Sequence, residues 1–277
     1  MQKVVLITGA SSGIGADTVR ALIENGFTVV ATVRKAADEV HLTNLYKNNI
    51  KVIQLDVTHF SEIEKLPEVL NTKFNIQQLY GLVNNAGVAM AGPFANQDFS
   101  ELQRIIQTNV LAVMKMTQVL LPLLKANSRI INISSVAGKT AAPFLSAYAA
   151  SKHAVEGFSE ALRKEMILLG IKVIVIAPGS IKTPIWQKGF ETVKNSYENT
   201  LFAEPFRRFI KFAMSEEKNA LDVTEVSQLI VKALLLEDPK VRYSPIPRKL
   251  INWYLPKLIP TKIYDRLTAK ALGLLPK

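Results

Sequence analysis

Tyr148 and Lys152 stand one helical turn apart in the run Tyr148-Ala149-Ala150-Ser151-Lys152, a spacing that puts both side chains on one face of a helix. An ammonium beside a phenol favours the phenolate, so the expectation is a tyrosine pKa lowered from its ordinary value of about 10 toward neutrality. Such a group can pass a proton to or from a substrate oxygen. Few other side chains compete for chemistry. The chain has no cysteine and three scattered histidines, which excludes disulfides, thiolate nucleophiles and cysteine zinc sites and argues against a metal centre. His41, His59 and His153 read as structural, the last projecting about 100° round the helix from Lys152.

A second group sits near the N-terminus. Thr8-Gly9-Ala10-Ser11-Ser12-Gly13-Ile14-Gly15 follows the apolar run Val4 to Thr8, where a buried strand would turn into a first helix. Glycines there permit a tight turn and close backbone approach. The helix N-terminus offers unpaired N–H groups and a positive dipole end, which suits a pyrophosphate lying against Gly9, Ser11, Ser12, Gly13, Ile14 and Gly15.

These residues need a scaffold, and the apolar pattern supplies one. Short runs rich in Val and Ile recur at Thr28 to Val33, Val52 to Asp56, Gly81 to Asn84, Arg129 to Ser134 and Lys172 to Ala177, with Val241 to Ser244 as a candidate last strand. They do not alternate with polar residues, which marks strands buried on both faces. Segments of helical length separate them, clearest at Leu111 to Ala126, Ala147 to Leu169 and Asp222 to Glu237, the last capped by Asp222 or Thr224. Strand–helix alternation predicts an α/β fold: a single Rossmann-like, doubly wound parallel sheet of about seven strands with helices on both faces. Residues 1–247 are expected to form this domain, with 180–220 as an aromatic-rich substrate-binding insert, or lid, beyond a late strand, and 248–277 as a helical C-terminal extension.

The glycine spacing at 9, 13 and 15 differs from the commonest dinucleotide fingerprint and resembles that of the short-chain dehydrogenase/reductase family, including hydroxysteroid-type, retinol-type and bacterial members. Asn84-Asn85-Ala86-Gly87 resembles the family's sheet-stabilising and adenosine-side motif. Ser135, Tyr148 and Lys152 match its catalytic Ser and Tyr-x-x-x-Lys, and Asn109 matches its fourth catalytic position. Pro178, Gly179, Ile181 and Thr183 fall in the segment that holds the nicotinamide end. Asp56 and Val57 resemble the adenine-ring contacts. The likeness is dense from Val4 to about Thr183.

It implies hydride transfer between a nicotinamide cofactor and an alcohol or carbonyl carbon, with Tyr148 as general acid/base. Lys152 would depress the phenol pKa and bond the nicotinamide ribose, Ser135 would stabilise charge on the substrate oxygen, and Asn109 would hold a water that completes a proton relay. The second strand ends in Val33-Arg34-Lys35, with no acid until Asp38. A carboxylate there would bond the ribose 2′-hydroxyl of NAD, whereas Arg34 suits the 2′-phosphate of NADP, so NADP(H) is expected rather than NAD.

The net charge is +11, and most of it lies at the end: from Lys240 onward nine basic residues face one acid, Asp265. A charge so confined argues for a local role rather than nucleic-acid binding. Among these cations stand Leu250, Tyr254, Leu258, Ile263 and Leu267 at helical spacing, a pattern that fits either packing on a protein surface or peripheral contact with an anionic membrane. The N-terminus reads as a strand rather than an export signal, and no apolar run is long enough to span a bilayer, so the expectation is a cytoplasmic protein, membrane-associated at most through its tail. With the aromatic insert, the tail favours a lipophilic substrate of steroid, retinoid or long-chain type over a sugar. A 3-oxoacyl-carrier-protein reductase and a non-catalytic dinucleotide-binding scaffold or redox sensor are the competing readings. The resemblance also implies a homodimer or homotetramer paired through the two long helices.

Overall fold

In the computed structural model, which describes residues 3–185, 190 and 196–276 and all their side chains except those of residues 251, 252 and 257, the apolar runs form a single sheet. Its strands are β1 (Val4–Ile7), β2 (Thr28–Val33), β3 (Ile50–Gln54), β4 (Leu79–Asn84), β5 (Leu124–Ile133), β6 (Lys172–Ile176) and β7 (Arg242–Tyr243). All pair in parallel, in the order β3-β2-β1-β4-β5-β6-β7. The chain winds outward from β1 to β3, then crosses back to β4 and winds the other way. That reversal opens a crevice beyond the carboxyl ends of β1 and β4, where the glycine turn and the Asn84–Gly87 loop emerge.

Neighbouring residues of a strand face opposite sides, so each buried strand feeds two cores. Val5, Ile7, Val29, Ala31, Val83, Ile131 and Ile174 point to one face, against α1 (Gly13–Glu24), α2 (Ala36–Tyr46) and α9 (Val223–Leu235). Leu6, Val30, Leu82, Ile130 and Val173 point to the other. There they meet α3 (Phe60–Glu64), α4 (Leu66–Phe74), α6 (Ala112–Leu120) and α7 (Ser146–Met166). Each fully buried Leu or Ile contributes about 1.5–3 kcal/mol, which fixes the strand register tightly.

A polar string crosses this apolar interior. Asn84 Nδ2 donates to Asn132 Oδ1 (2.8 Å) and to Thr117 Oγ1 (3.1 Å), and Asn132 Nδ2 donates to Ser159 Oγ (2.9 Å). It ties β4 and β5 to the helix that carries Tyr148 and Lys152.

Two local expectations need correction. The segment Leu111 to Ala126 is not one helix: α5 (Phe99–Ile106) runs through a π-helical turn at Gln107–Leu111 into α6, a 3₁₀ turn follows at Leu121–Leu123, and β5 has begun by Leu124. Pro122 has no N–H to continue the helix. Asp222 precedes α9 but makes no capping bond; its carboxylate pairs with Lys182 at 3.1 Å instead.

Trp186, one of the insert's aromatics, lies outside the described residues. The rest of the insert includes α8 (Ala203–Glu216), whose Phe206 and Phe209 join Ala91, Phe144, Phe190, Tyr197 and Leu272 in a third, separate core. Leu272 ends α10 (Thr261–Leu272), so the C-terminal extension is anchored on the insert. Among the described residues no helix is long and apolar enough to cross a membrane.

Candidate active site

Tyr148 lies in the first turn of α7, under the carboxyl end of β5, and retains 7% of its accessible surface. Its ring packs on Ala89, Ala137 and Ile185. Lys152 follows one turn later, also 7% exposed, with Nζ 5.8 Å from the centre of the Tyr148 ring. The ammonium donates to the Ile133 carbonyl at 2.9 Å. Ser135 leaves the end of β5, receives the Ala137 N–H on its hydroxyl at 3.1 Å and hydrogen-bonds the Tyr148 side chain. The three residues named from spacing therefore converge.

Their electrostatics differ from the expectation in one respect. Burial pushes the Tyr148 phenol up from its ordinary value, with the Ser135 hydrogen bond acting in the opposite direction. Burial also brings the Lys152 ammonium down, to about 8. A low-dielectric site penalises both charged forms, and with the ammonium above the ring rather than at the hydroxyl, its field does not overcome that penalty. The depressed phenol expected from the pair is thus not a property of the chain by itself.

Asn109, in the π-helical turn, is buried and its amide is occupied by protein. Nδ2 donates to the Val88 carbonyl (2.9 Å) and to Ser151 Oγ (3.0 Å), while Oδ1 accepts the Val88 N–H (2.8 Å). Ser151 in turn donates to the Tyr148 carbonyl at 2.7 Å. The side chain thus clamps the loop after β4 to α7. A Cβ built on Gly87 would lie 3.3 Å from Asn109 Oδ1 and 3.8 Å from Lys152 Nζ, so that glycine keeps the floor of the site open.

The glycine turn is braced by the same loop. Gly9 and Gly13 have φ of +67° and +56°, the left-handed region that a side chain disfavours. A Cβ at Gly9 would meet the Ala86 backbone at 2.8 Å, and one at Gly15 would meet the Gly9 carbonyl at 2.1 Å. Asn85 Nδ2 donates to the carbonyls of Thr8 (2.9 Å) and Gly9 (3.0 Å), and Thr8 Oγ1 accepts the N–H groups of Asn85 and Ala86, each at 3.0 Å. The Asn85 amide therefore shapes the turn.

Ser12 occupies the N-cap of α1 with no side-chain capping bond, leaving the first N–H groups of the helix, those of Gly13, Ile14 and Gly15, to donate to a ligand. Thr183 sits over this end of the turn, 3.3 Å from where a Gly13 Cβ would be. The segment before it is pinned from both sides: Val136 N–H donates to the Pro178 carbonyl, Gly179 N–H to Pro245, and Ile181 bridges to Leu221.

At the end of β2, Arg34 and Lys35 are exposed. Arg34 is close enough to Asp56 for its charge to act there. Burial works to raise the Asp56 pKa, but the N–H and hydroxyl of Thr58, both on Oδ1, together with His59 and Arg34, bring it below the usual carboxylate range. Val57 beside it is buried. A glycine turn at an uncapped helix end, a cation beyond β2 and a carboxylate beyond β3 fit an elongated dinucleotide carrying a phosphate at one end, with Lys152 and Thr183 at the other. His153 bonds the Ala149 carbonyl.

Two features escape sequence reading. Phe144, four residues before Tyr148, has φ +67°, an uncommon and strained conformation for an aromatic residue. Its carbonyl accepts the Gly92 N–H at 2.9 Å and its ring meets Phe206 and Phe209 edge-on at 5.3 and 5.6 Å. Nothing in the residue type announces that geometry. Glu156, one turn beyond Lys152, is buried and receives Arg242 Nε on both oxygens, while Arg242 also lies over the Trp253 ring at 5.6 Å. The four-residue spacing from Lys152 is the one available signal.

Residues 3–194 match the family model described as short chain dehydrogenase. The chain is 35% identical over 276 residues to the NADPH-dependent 3-dehydrocapnine reductase of Ornithobacterium rhinotracheale, covering 98% of this chain and 97% of that protein. It is 34% identical over 252 residues to the 3-amino-tetrahydro-pyrrolizinone reductase of Xenorhabdus hominickii, covering 87% and 86%. Among solved structures it resembles ElxO with NADP bound, at a TM-score of 0.72 and 26% identity over 91% of this chain and all of that one.

Proposed function

The chain belongs to the short-chain dehydrogenase/reductase family and is an NADP(H)-dependent oxidoreductase acting between CH–OH and carbonyl groups, and we propose that it reduces a lipophilic ketone or aldehyde with a proton from Tyr148. The observation that carries the mechanism is the convergence of partly buried Ser135 with buried Tyr148 and Lys152 at the carboxyl edge of the sheet.

When bound, the reduced nicotinamide supplies a hydride to the carbonyl carbon. The protein's part is the oxygen and its proton. The Ser135 hydroxyl donates a hydrogen bond to the substrate oxygen as negative charge grows there, and the Tyr148 phenol gives up its proton to the same atom, completing the alcohol. A phenol whose pKa burial has raised is fully protonated at neutral pH, which readies the chain for reduction. Lys152, with its pKa near 8, is charged at neutrality and stabilises the phenolate left behind. Asn109 acts on this step as a positioning residue, since its amide is committed to Val88 and Ser151 and so fixes the start of α7.

Cofactor contacts are assigned to Gly9, Ser11, Ser12, Gly13, Ile14 and Gly15 for the pyrophosphate, to Arg34 for the 2′-phosphate, and to Asp56 and Val57 for the adenine. Asn85, Ala86 and Gly87 line the adenosine side, and Tyr148, Lys152, Pro178, Gly179, Ile181 and Thr183 the nicotinamide side.

The lipophilic substrate is supported by the aromatic core of Phe144, Phe190, Tyr197, Phe206 and Phe209, which joins the start of α7 to the insert. Residues 180–220 are accordingly assigned to substrate enclosure and 248–277 to a separate extension of the 1–247 domain. Pairing into homodimers or homotetramers through α6 and α7 is supported by exposed Leu111, Ile167 and Leu168 at the ends of those helices.

The test is NADPH consumption with carbonyl substrates graded by chain length, including 3-dehydrocapnine and the pyrrolizinone substrate of the second relative, beside a small hydroxyacid's ketone. The proposal expects kcat/KM to rise with apolar length, about threefold to fivefold for each added methylene that is buried. A preference for short polar carbonyls would overturn it.

A further inference from the structure

The helix α10 (Thr261–Leu272) is apolar on the side that faces away from the protein. Its inward anchor is Leu272, 7% exposed and packed with the aromatic residues of the insert, while Gly273 just beyond closes against Arg208. Ile263, Tyr264 and Leu267 are 53%, 42% and 54% exposed. At about 100° per residue these three fall within an arc of about 100°, and Leu272 projects roughly 130° from its centre. Lys270, Arg266 and Lys262 line one border of the arc, within about the next 100°. Asp265, the helix's single acid, projects on the side of Leu272.

The preceding segment repeats the arrangement. Trp253 is buried beneath Arg242, while Leu250, Tyr254, Leu255 and Leu258 are exposed among Arg248 and Lys249. An apolar stripe that its own domain leaves open needs another occupant. Charge decides which. A two-fold contact between copies would set this patch against itself and bring Lys262, Arg266 and Lys270 close to their own like charges. An anionic surface pairs with every one of them.

We propose that residues 248–276 form a peripheral membrane-binding element, with Ile263, Tyr264 and Leu267 entering the headgroup boundary and Lys262, Arg266 and Lys270 meeting anionic lipid phosphates. This goes beyond the catalytic reading and does not depend on it. The element would hold the enzyme at the phase in which an apolar carbonyl substrate is concentrated.

The experiment is co-sedimentation of the full chain with vesicles of phosphatidylcholine mixed with phosphatidylglycerol, and with vesicles of phosphatidylcholine alone. Binding to the anionic vesicles should exceed binding to the neutral ones by at least about tenfold and fall steeply with salt. A charge-reduced variant, Arg266→Gln with Lys270→Gln, should bind about 25-fold more weakly, at roughly fivefold per cation. Ile263→Ser with Leu267→Ser should lose at least about tenfold. Both variants should keep wild-type NADPH turnover, which shows that they are folded. Equal binding to the two vesicle types, or variants that bind like wild type, overturns the proposal. So does an absence of vesicle binding by wild type together with a fall in solution mass of the serine variant in sedimentation equilibrium, which would make the stripe a subunit interface.

Discussion

The hydroxyl of Ser135 hydrogen-bonds the side chain of Tyr148 inside a site that leaves Tyr148 7% of its surface. Burial raises the phenol pKa and this bond opposes the rise, so the bond bears on the pH at which the proton is available.

Ser135→Ala therefore has two expected effects. Loss of a donor at the substrate oxygen should lower kcat for reduction by about 10²–10³-fold. The residual activity should also hold to higher pH before it declines, because removing the bond lets the phenol pKa climb further. A pH–rate profile of the variant checks both; a limb displaced toward neutrality would contradict the assignment.

Lys152 carries the opposite cost. Its pKa, 10.5 in the unfolded chain, is brought down to about 8 by burial, so between those values the unfolded state binds more protons and wild-type stability rises with pH. Lys152→Met removes that cost while ending activity. It should be more stable than wild type by up to about 3 kcal/mol below pH 8, since lowering a pKa by one costs the charged form about 1.4 kcal/mol, with the gap closing as pH approaches 10.5. Denaturant melts of both proteins across this range test it.

Arg34 is the exposed cation at the end of β2. Arg34→Ala should raise KM for NADPH by about 10-fold or more, the worth of a charge-assisted bond, and leave KM for NADH nearly unchanged. Equal losses with both cofactors would move the 2′-phosphate elsewhere.

Arg242 joins two parts of the protein, bonding Glu156 on α7 and covering Trp253 in the extension. Arg242→Met leaves a buried carboxylate without its partner, and should cost about 3–5 kcal/mol in stability. The double change Arg242→Met with Glu156→Gln should recover much of it, because no unpaired charge remains. Thermal unfolding of the two variants separates this account from one in which Arg242 is only a packing residue.

How much of this is legible in the sequence follows from where each signal resides. The strands are readable because burial on both faces leaves unbroken Val and Ile runs, and the glycine turn because Gly9, Gly13 and Gly15 satisfy backbone geometry that few residues can. Tyr148, Lys152 and Ser135 are found through spacing along one helix and one strand end. The break at Leu121–Leu123 escapes notice although Pro122 marks it, because the flanking leucines continue a helical pattern. The direction of the Tyr148 shift is misread because spacing reports which charges are near and not how much water is excluded. The left-handed Phe144 and the Glu156–Arg242–Trp253 contact depend on chain segments far apart in sequence, and the spacing of Glu156 from Lys152 marks its helix face but not its partners.

The central claim is that Tyr148 delivers the proton that accompanies hydride transfer. Its most direct test is NADPH oxidation by wild type and Tyr148→Phe with the same carbonyl substrate, alongside NADPH affinity measured by fluorescence. The expected result is a loss in kcat of about 10²–10⁴-fold with NADPH affinity unchanged within a factor of about two, as expected when a hydroxyl is removed and the ring that packs on Ala89 and Ala137 is kept. Retention of wild-type kcat by Tyr148→Phe would contradict the account.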